Sequence, residues 1–352
     1  MIQGAGVQPN AKSSGGGKKL FYLMVAIVLA AVLLYYSLRG IDWRRVGQIL
    51  ASANIAYVVM CCALCTLTLF LRSYRWRILL RAEGDVSVAT AFWATAAGYF
   101  GNNFLPARAG EVVRTMMISN RTRLSKAFVL TTALSERLAD AIALITISAV
   151  VLLILPPGSA GWLSRGAKIF AVAGALGLAA LAVLPYLEKL LKSCTRIVRL
   201  PAKLECTLHE LIEHVLRGIK SFHHPVRLGG FLSLTGVIWM LDAVTTIVGA
   251  KALSLHISFA GALLLIAGLG LGSALPSTPG YVGVWQFVAV NVLTPFGVSR
   301  TDAIAYILFY QALLYVVVGF WGLLAFARRR RSEPQIATDP LEIPAPSDPV
   351  SA

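Results

Sequence analysis

Residues 98–114 read GYFGNNFLPARAGEVVR, and residues 268–284 read GLGLGSALPSTPGYVGV. Set side by side, Gly98-x6-Leu105-Pro106-x3-Gly110-x-Val112 matches Gly268-x6-Leu275-Pro276-x3-Gly280-x-Val282, every pair at one constant offset. Each motif interrupts an apolar segment, Val88–Ser119 and Phe259–Leu293. Proline lacks the N–H that a helix interior needs, so each segment reads as two short helices joined by a break. The breaks fall at Leu105, Pro106 and Gly110 in the first segment and at Pro276, Pro279 and Gly280 in the second. Irregular backbone is tolerated at membrane depth only where protein or a water-filled cavity covers it. Each segment is therefore a re-entrant hairpin or a pair of short spans. The plain alternative to a repeat is two unrelated proline kinks in a helix bundle.

The composition supports a membrane setting. Of 352 residues, 57% are hydrophobic and only 14% charged, against about 25% charged in an average soluble chain. So little charge cannot dress the outside of a soluble protein of this size. Disorder, collagen and a disulfide scaffold are excluded on the same grounds. Six further apolar runs read as full spans: Leu20–Leu38, Ile55–Leu71, Ala127–Leu155, Ala167–Leu184, Leu228–Ala250 and Ala303–Ala327. Each approaches the roughly 20 residues that cross a bilayer. The expected fold class is an all-α polytopic membrane protein with six full spans and two Pro/Gly-broken re-entrant hairpins, or eight spans. Its two motifs suggest an inverted repeat.

The net charge of +16 orients this chain. With the N-terminus inside and each hairpin returning to its own side, the inner segments hold 24 of the 32 Lys and Arg residues and the outer loops seven. That is the positive-inside bias. Both termini are expected in the cytoplasm. Residues 1–19 read as a flexible tail, 20–327 as one transmembrane domain, and 328–352 as a basic stop followed by a Pro-rich disordered tail. Residues 187–223 mix apolar and charged residues. They read either as an amphipathic helix on the membrane surface or as a solvated linker.

Charges that remain inside the spans are costly and usually functional. Glu136, Arg137 and Asp140 lie deep in a span; Glu136 and Asp140 share a helix face, and Arg137 is spaced to pair with Asp140. Arg108, Glu111 and Arg114 stand at the first break. Asp242 is alone in mid-span, and the offset that relates the two motifs also relates it to Arg72. Arg72, Arg75 and Arg77 read as ordinary topology signal at the inner end of the second span. The functional reading is a site for an anionic headgroup. Arg108, Arg114 and Arg137 would offer forked donors to phosphate, helped by Asn102, Asn103 and Thr278 and by broken-helix N-termini. Glu111, Glu136, Asp140 and Asp242 would serve as counter-ions or proton carriers. The other reading is a set of buried ion pairs that fixes helix packing.

No catalytic or metal-binding set is expected. Cys61, Cys62 and Cys65 lie in an apolar span without a histidine partner, and the five histidines form no ligand spacing. There is no Walker loop, dinucleotide fingerprint or nucleophile elbow. The expectation is a non-enzyme without a cofactor that does not bind nucleic acid.

Four segments occur in order: Arg72-x2-Arg75-Trp76-x2-Leu79-Leu80; Gly98-x3-Asn102-x2-Leu105-Pro106-Ala107-Arg108-Ala109-Gly110-Glu111-x2-Arg114; Glu136-Arg137-x2-Asp140; and Pro276-x-Thr278-Pro279-Gly280-x2-Gly283. Together they resemble the flippase-like membrane family, whose best-known relatives are the transmembrane regions of lysylphosphatidylglycerol synthases. The resemblance covers about residues 20–327. It implies a multi-pass protein of the bacterial inner membrane that handles lipids, often moving them between leaflets. Its lipid would be a phospholipid, a hopanoid or a polyprenyl-linked lipid, and a lipid-modifying enzyme would be its protein partner. The sequence ends at Ala352, shortly after the last expected span, so the soluble aminoacyl-transferase domain of the synthases is expected to be missing. Where relatives often carry a second glycine and then a glutamate after Pro279-Gly280, this chain has Tyr281 and Gln286. An accessory or scaffold subunit of a lipid- or glycolipid-modifying pathway is the competing expectation.

Overall fold

A computed structural model describes residues 15–104, 109–156, 172–176, 179, 225–273 and 279–332. Ten helices organise these residues: α1 (Gly15–Leu38), α2 (Trp43–Ala51), α3 (Ile55–Leu80), α4 (Val88–Phe104), α5 (Gly110–Ser119), α6 (Lys126–Ile154), α7 (Pro225–Ala252), α8 (Phe259–Gly272), α9 (Val284–Leu293) and α10 (Arg300–Ser332). No strand occurs among the described residues. Among the described residues, four helices are long and apolar enough to cross a membrane: α3, α6, α7 and the part of α10 from Arg300 to Arg328. The chain is thus an all-helical, multi-pass membrane protein.

Local chemistry sets the helix starts. Asp42, Asn54, Ser125 and Ser258 each accept a backbone N–H from the first turn of α2, α3, α6 and α8, satisfying donors that have no partner within the helix. The two interrupted segments fold as helix pairs, α4 with α5 and α8 with α9, the members of each pair packed on one another. With 17, 10, 14 and 10 residues, these helices are roughly 15–26 Å long. All four are shorter than a hydrocarbon core of about 30 Å.

Two points adjust the sequence reading. The span expected to end at Leu71 continues as α3 to Leu80. Arg72 and Arg75 are neutralised by carboxylates of other helices, so the helix does not have to stop where charge begins. The amphipathic helix α2 had no counterpart in the sequence reading. It buries Val46, and Arg45 reaches Asp302 at the start of α10 at 3.0 Å. The run Leu20–Leu38 lies within α1. The run Ala167–Leu184 falls outside the described residues apart from 172–176 and 179, and residues 187–223 lie wholly outside them.

Helices α3 and α7 run antiparallel. Asn54 N–H, at the start of α3, donates to the carbonyl of Ala252, at the end of α7 (2.8 Å), and Arg75 near the other end of α3 reaches Thr235 near the start of α7 (2.9 Å). Around this pair the neighbours correspond. Helix α3 packs on α4 as α7 packs on α8, α5 on α6 as α9 on α10, and α4 on α10 as α8 on α6. The helix starts correspond too, at a nearly constant offset: Ile55 with Pro225, Val88 with Phe259, Gly110 with Val284 and Lys126 with Arg300.

The motif glycines have a steric reason. Gly98 and Gly110 face each other across α4 and α5: a Cβ on Gly110 would meet the Gly98 carbonyl and the Asn102 side chain. Only hydrogen at Gly110 lets the short arm lie this close.

Candidate functional site

Eight charged side chains form one alternating chain through the interior. Asp242 on α7 pairs with Arg72 on α3 at 2.6 Å, and Arg72 reaches Asp140 on α6 at 3.8 Å. Asp140 takes Arg75 on α3 in a two-pronged contact of 2.6 and 2.9 Å. Arg75 also donates to Glu136 on α6 (2.8 Å), and the second oxygen of Glu136 accepts from Arg114 on α5 (2.9 Å). Arg114 pairs with Glu111 one turn earlier, and Glu111 accepts from Arg137 Nε at 3.0 Å. The order is Asp242, Arg72, Asp140, Arg75, Glu136, Arg114, Glu111, Arg137. Every interior member has an oppositely charged neighbour on each side.

The physics favours this pattern. An unpaired ion in a medium of low dielectric is costly, and breaking such a pair costs more than its net worth. Alternation places no like charges in sequence along the chain. The four guanidinium groups also lie over aromatic rings: Arg72 over Trp239 at 4.7 Å, Arg75 over Phe231 at 4.9 Å, Arg114 over Trp76 at 4.5 Å and Arg137 over Tyr99 at 5.3 Å. Trp76 is held by its Nε1–H donating to Thr132 at 3.2 Å. Asn102 accepts the first backbone N–H of α5, from Gly110, at 3.0 Å. It thereby fixes the arm that carries Glu111 and Arg114.

Both ends of the charge chain open on a cavity of about 430 Å³, whose lining includes Asp242, Arg72, Asp140, Glu111, Arg137 and both Asn102 and Asn103. Arg137 is the most accessible of the eight, with 38% of its side chain exposed, whereas Arg75 is fully enclosed. Part of the lining is aromatic. Tyr281 stacks on Trp285 at 5.3 Å and Trp285 lies 6.4 Å from Tyr310.

The sequence-predicted residues divide accordingly. Glu111, Arg114, Glu136, Arg137, Asp140 and Asp242 all belong to the charge chain. Arg137 does not pair with Asp140, three residues on, but turns to Glu111 across the helix interface, because Asp140 is already held by Arg75. Arg72 and Arg75, read as topology markers, are central members. Arg77 donates instead to the Val86 carbonyl. Gly110 begins α5, and Pro279 and Gly280 form a single turn of 3₁₀ helix with Tyr281. Leu105, Pro106, Arg108, Pro276 and Thr278 lie outside the described residues.

The aromatic wall and one neutral network had no place in the sequence reading. In the second break Gln286 accepts from Gly283 N–H at 2.7 Å and donates to Gln311 at 2.8 Å, while the Tyr315 hydroxyl donates to the Gly280 carbonyl at 2.7 Å. Tyr281 stands at φ 63°, a left-handed conformation that costs a non-glycine residue about 1–2 kcal/mol. This explains why a glycine suits that position. Gln286 stood out only as a departure from the family's glutamate, and Gln311 carried no signal, since the two meet from different helices.

No curated protein matches the chain. The family model for the lysylphosphatidylglycerol synthase TM region matches residues 23–322. On that match, over nearly all of the helical bundle just described, the chain belongs to the lysylphosphatidylglycerol synthase transmembrane-region family.

Proposed function

We propose that the protein is a flippase-like lipid transporter of the bacterial inner membrane. It binds an anionic or zwitterionic headgroup in the cavity between two re-entrant hairpins, α4–α5 and α8–α9, with both termini cytoplasmic. The observation that carries this reading is the cavity itself. It sits among helices of a membrane protein, receives both ends of an eight-member charge chain, and takes its lining from both interrupted segments.

Further support comes from the correspondence between residues 55–154 and 225–332. Equivalent helices repeat their packing neighbours, and the equivalent pair α3 and α7 is antiparallel. This is the pattern of an inverted repeat whose pseudo-twofold axis lies in the membrane plane, with the substrate site near that axis. In this reading the headgroup crosses through the cavity while the acyl tails remain in lipid. The work is transport rather than catalysis.

A second reading, an accessory subunit, draws on a different observation. Arg75 and Arg114 are enclosed, and each is paired with two carboxylates, as expected of a purely structural network. Transport of labelled phospholipids in proteoliposomes separates the two. Transport by the intact chain, reduced at least tenfold in Arg137→Gln at unchanged thermal stability, supports the transporter. No transport of any lipid tried, with or without a proton gradient, and co-purification of a stoichiometric enzyme would favour the subunit.

A further inference from the structure

We propose that the cavity selects a zwitterion bearing one phosphate and one ammonium group. This rests on the lipid-headgroup reading above and specifies its chemistry. Seven residue pairs related by the offset between the two motifs line the cavity together, and three of them include a charged residue: Arg72 with Asp242, Glu111 with Tyr281, and Asp140 with Tyr310. Where the first half contributes two carboxylates, the second contributes two phenol rings. At those two positions the halves are chemically unlike, ionic in the first and aromatic in the second.

Only two members of the charge chain have room for another ion. Arg137 meets one carboxylate, through Nε, and its Nη1 and Nη2 have no bond among the described residues. Asp242 meets one guanidinium. The six members between them have an opposite charge on each side. A phosphate therefore belongs at Arg137, where two N–H groups of a fork are available. An ammonium belongs at Asp242, beside the aromatic wall of Trp285 and Tyr310, whose ring faces attract cations.

Charge balance points the same way. The charge chain holds four arginines and four carboxylates, and is neutral. A zwitterion leaves it neutral, whereas a headgroup with net charge adds an uncompensated ion to a region of low dielectric. A purely anionic headgroup would occupy Arg137 and face Glu111 and Asp242 with nothing to offer them.

The test is competition binding to the full chain in detergent. A labelled phosphatidylethanolamine is displaced by unlabelled phosphatidylethanolamine, by phosphatidylglycerol or by free phosphoethanolamine. Expected is at least tenfold preference for phosphatidylethanolamine over phosphatidylglycerol. Asp242→Asn should abolish that preference, and Arg137→Gln should weaken both lipids. Tyr310→Leu removes a ring without touching the charge chain, so it should reduce the preference even if Asp242→Asn does not fold. Phosphatidylglycerol binding as tightly as phosphatidylethanolamine, or more tightly, overturns the zwitterion and leaves the lipid reading standing. If neither lipid binds, the lipid reading itself fails. If free phosphoethanolamine binds as tightly as the lipid, the zwitterion holds and the bilayer source is overturned.

Discussion

The two interrupted helix pairs share a motif and a place in the packing, yet they are held by different chemistry. In α4–α5 the short arm is bound by ions: Glu111 and Arg114 tie it to α6 through Arg137 and Glu136. In α8–α9 the equivalent region is bound by neutral groups, with Gln286, Gln311 and Tyr315 closing on the backbone of Gly280 and Gly283. Ions in a dry interior are strong only while every partner is present, and each loss exposes the remaining charge. Amide networks degrade more gently, because an unpaired amide costs much less than an unpaired ion. The first pair should therefore be brittle and the second tolerant.

The most severe way to break that contrast is to remove Arg75, which holds both Glu136 and Asp140. Arg75→Met should destabilise the protein by about 3–5 kcal/mol, seen as a large fall in unfolding temperature in detergent. A neutral result would mean that the charge chain contributes little to the fold. Transplanting charge into the second half is the mirror experiment. Tyr310→Asp introduces a carboxylate where the wall is aromatic, and a loss of about 2 kcal/mol or more is expected from its desolvation; restoration of stability by acid would locate the cost in the charge. Gly110→Ala forces a methyl against the Gly98 carbonyl and should cost about 1–3 kcal/mol. A crosslink between α4 and α5 that forms as readily as before would count against that contact. For the neutral pair, Gln286→Leu strands the Gly283 N–H and should cost about 1–3 kcal/mol, at the low end if water reaches it. The smallest effect is a gain: Gly229 in α7 has open space where its Cβ would lie, and Gly229→Ala should raise stability by about 0.5–1 kcal/mol. A loss there would show that this face is packed against something.

Much of this arrangement is readable from the sequence, for identifiable reasons. Glu111, Glu136, Asp140 and Asp242 stand out because a carboxylate in an apolar run is costly. Gly98 and Gly110 stand out because the same spacing recurs at Gly268 and Gly280. Arg72 and Arg75 mislead because arginine beyond an apolar run is also the commonest sign of a membrane face. Only their partners on α6 and α7 reveal that they are interior. The aromatic wall is invisible beforehand, since Tyr281, Trp285 and Tyr310 resemble the aromatics of any membrane bundle until the fold sets them around one space. Arg137 shows the limit of local spacing: Asp140 is within reach along the helix, but an interhelical partner takes it first.

The pairing of Arg72 with Asp242 also sets a condition on biogenesis. Synthesis delivers the chain from its N-terminus, so seven of the eight charges enter the membrane before α7 exists, and they carry one positive charge in excess. At ordinary translation speeds of about 5–20 residues per second, Asp242 follows Asp140 by on the order of ten seconds. During that interval the first half must be sheltered at the insertion machinery or hold Arg72 toward water. The arrival of one aspartate then completes the neutral set of eight.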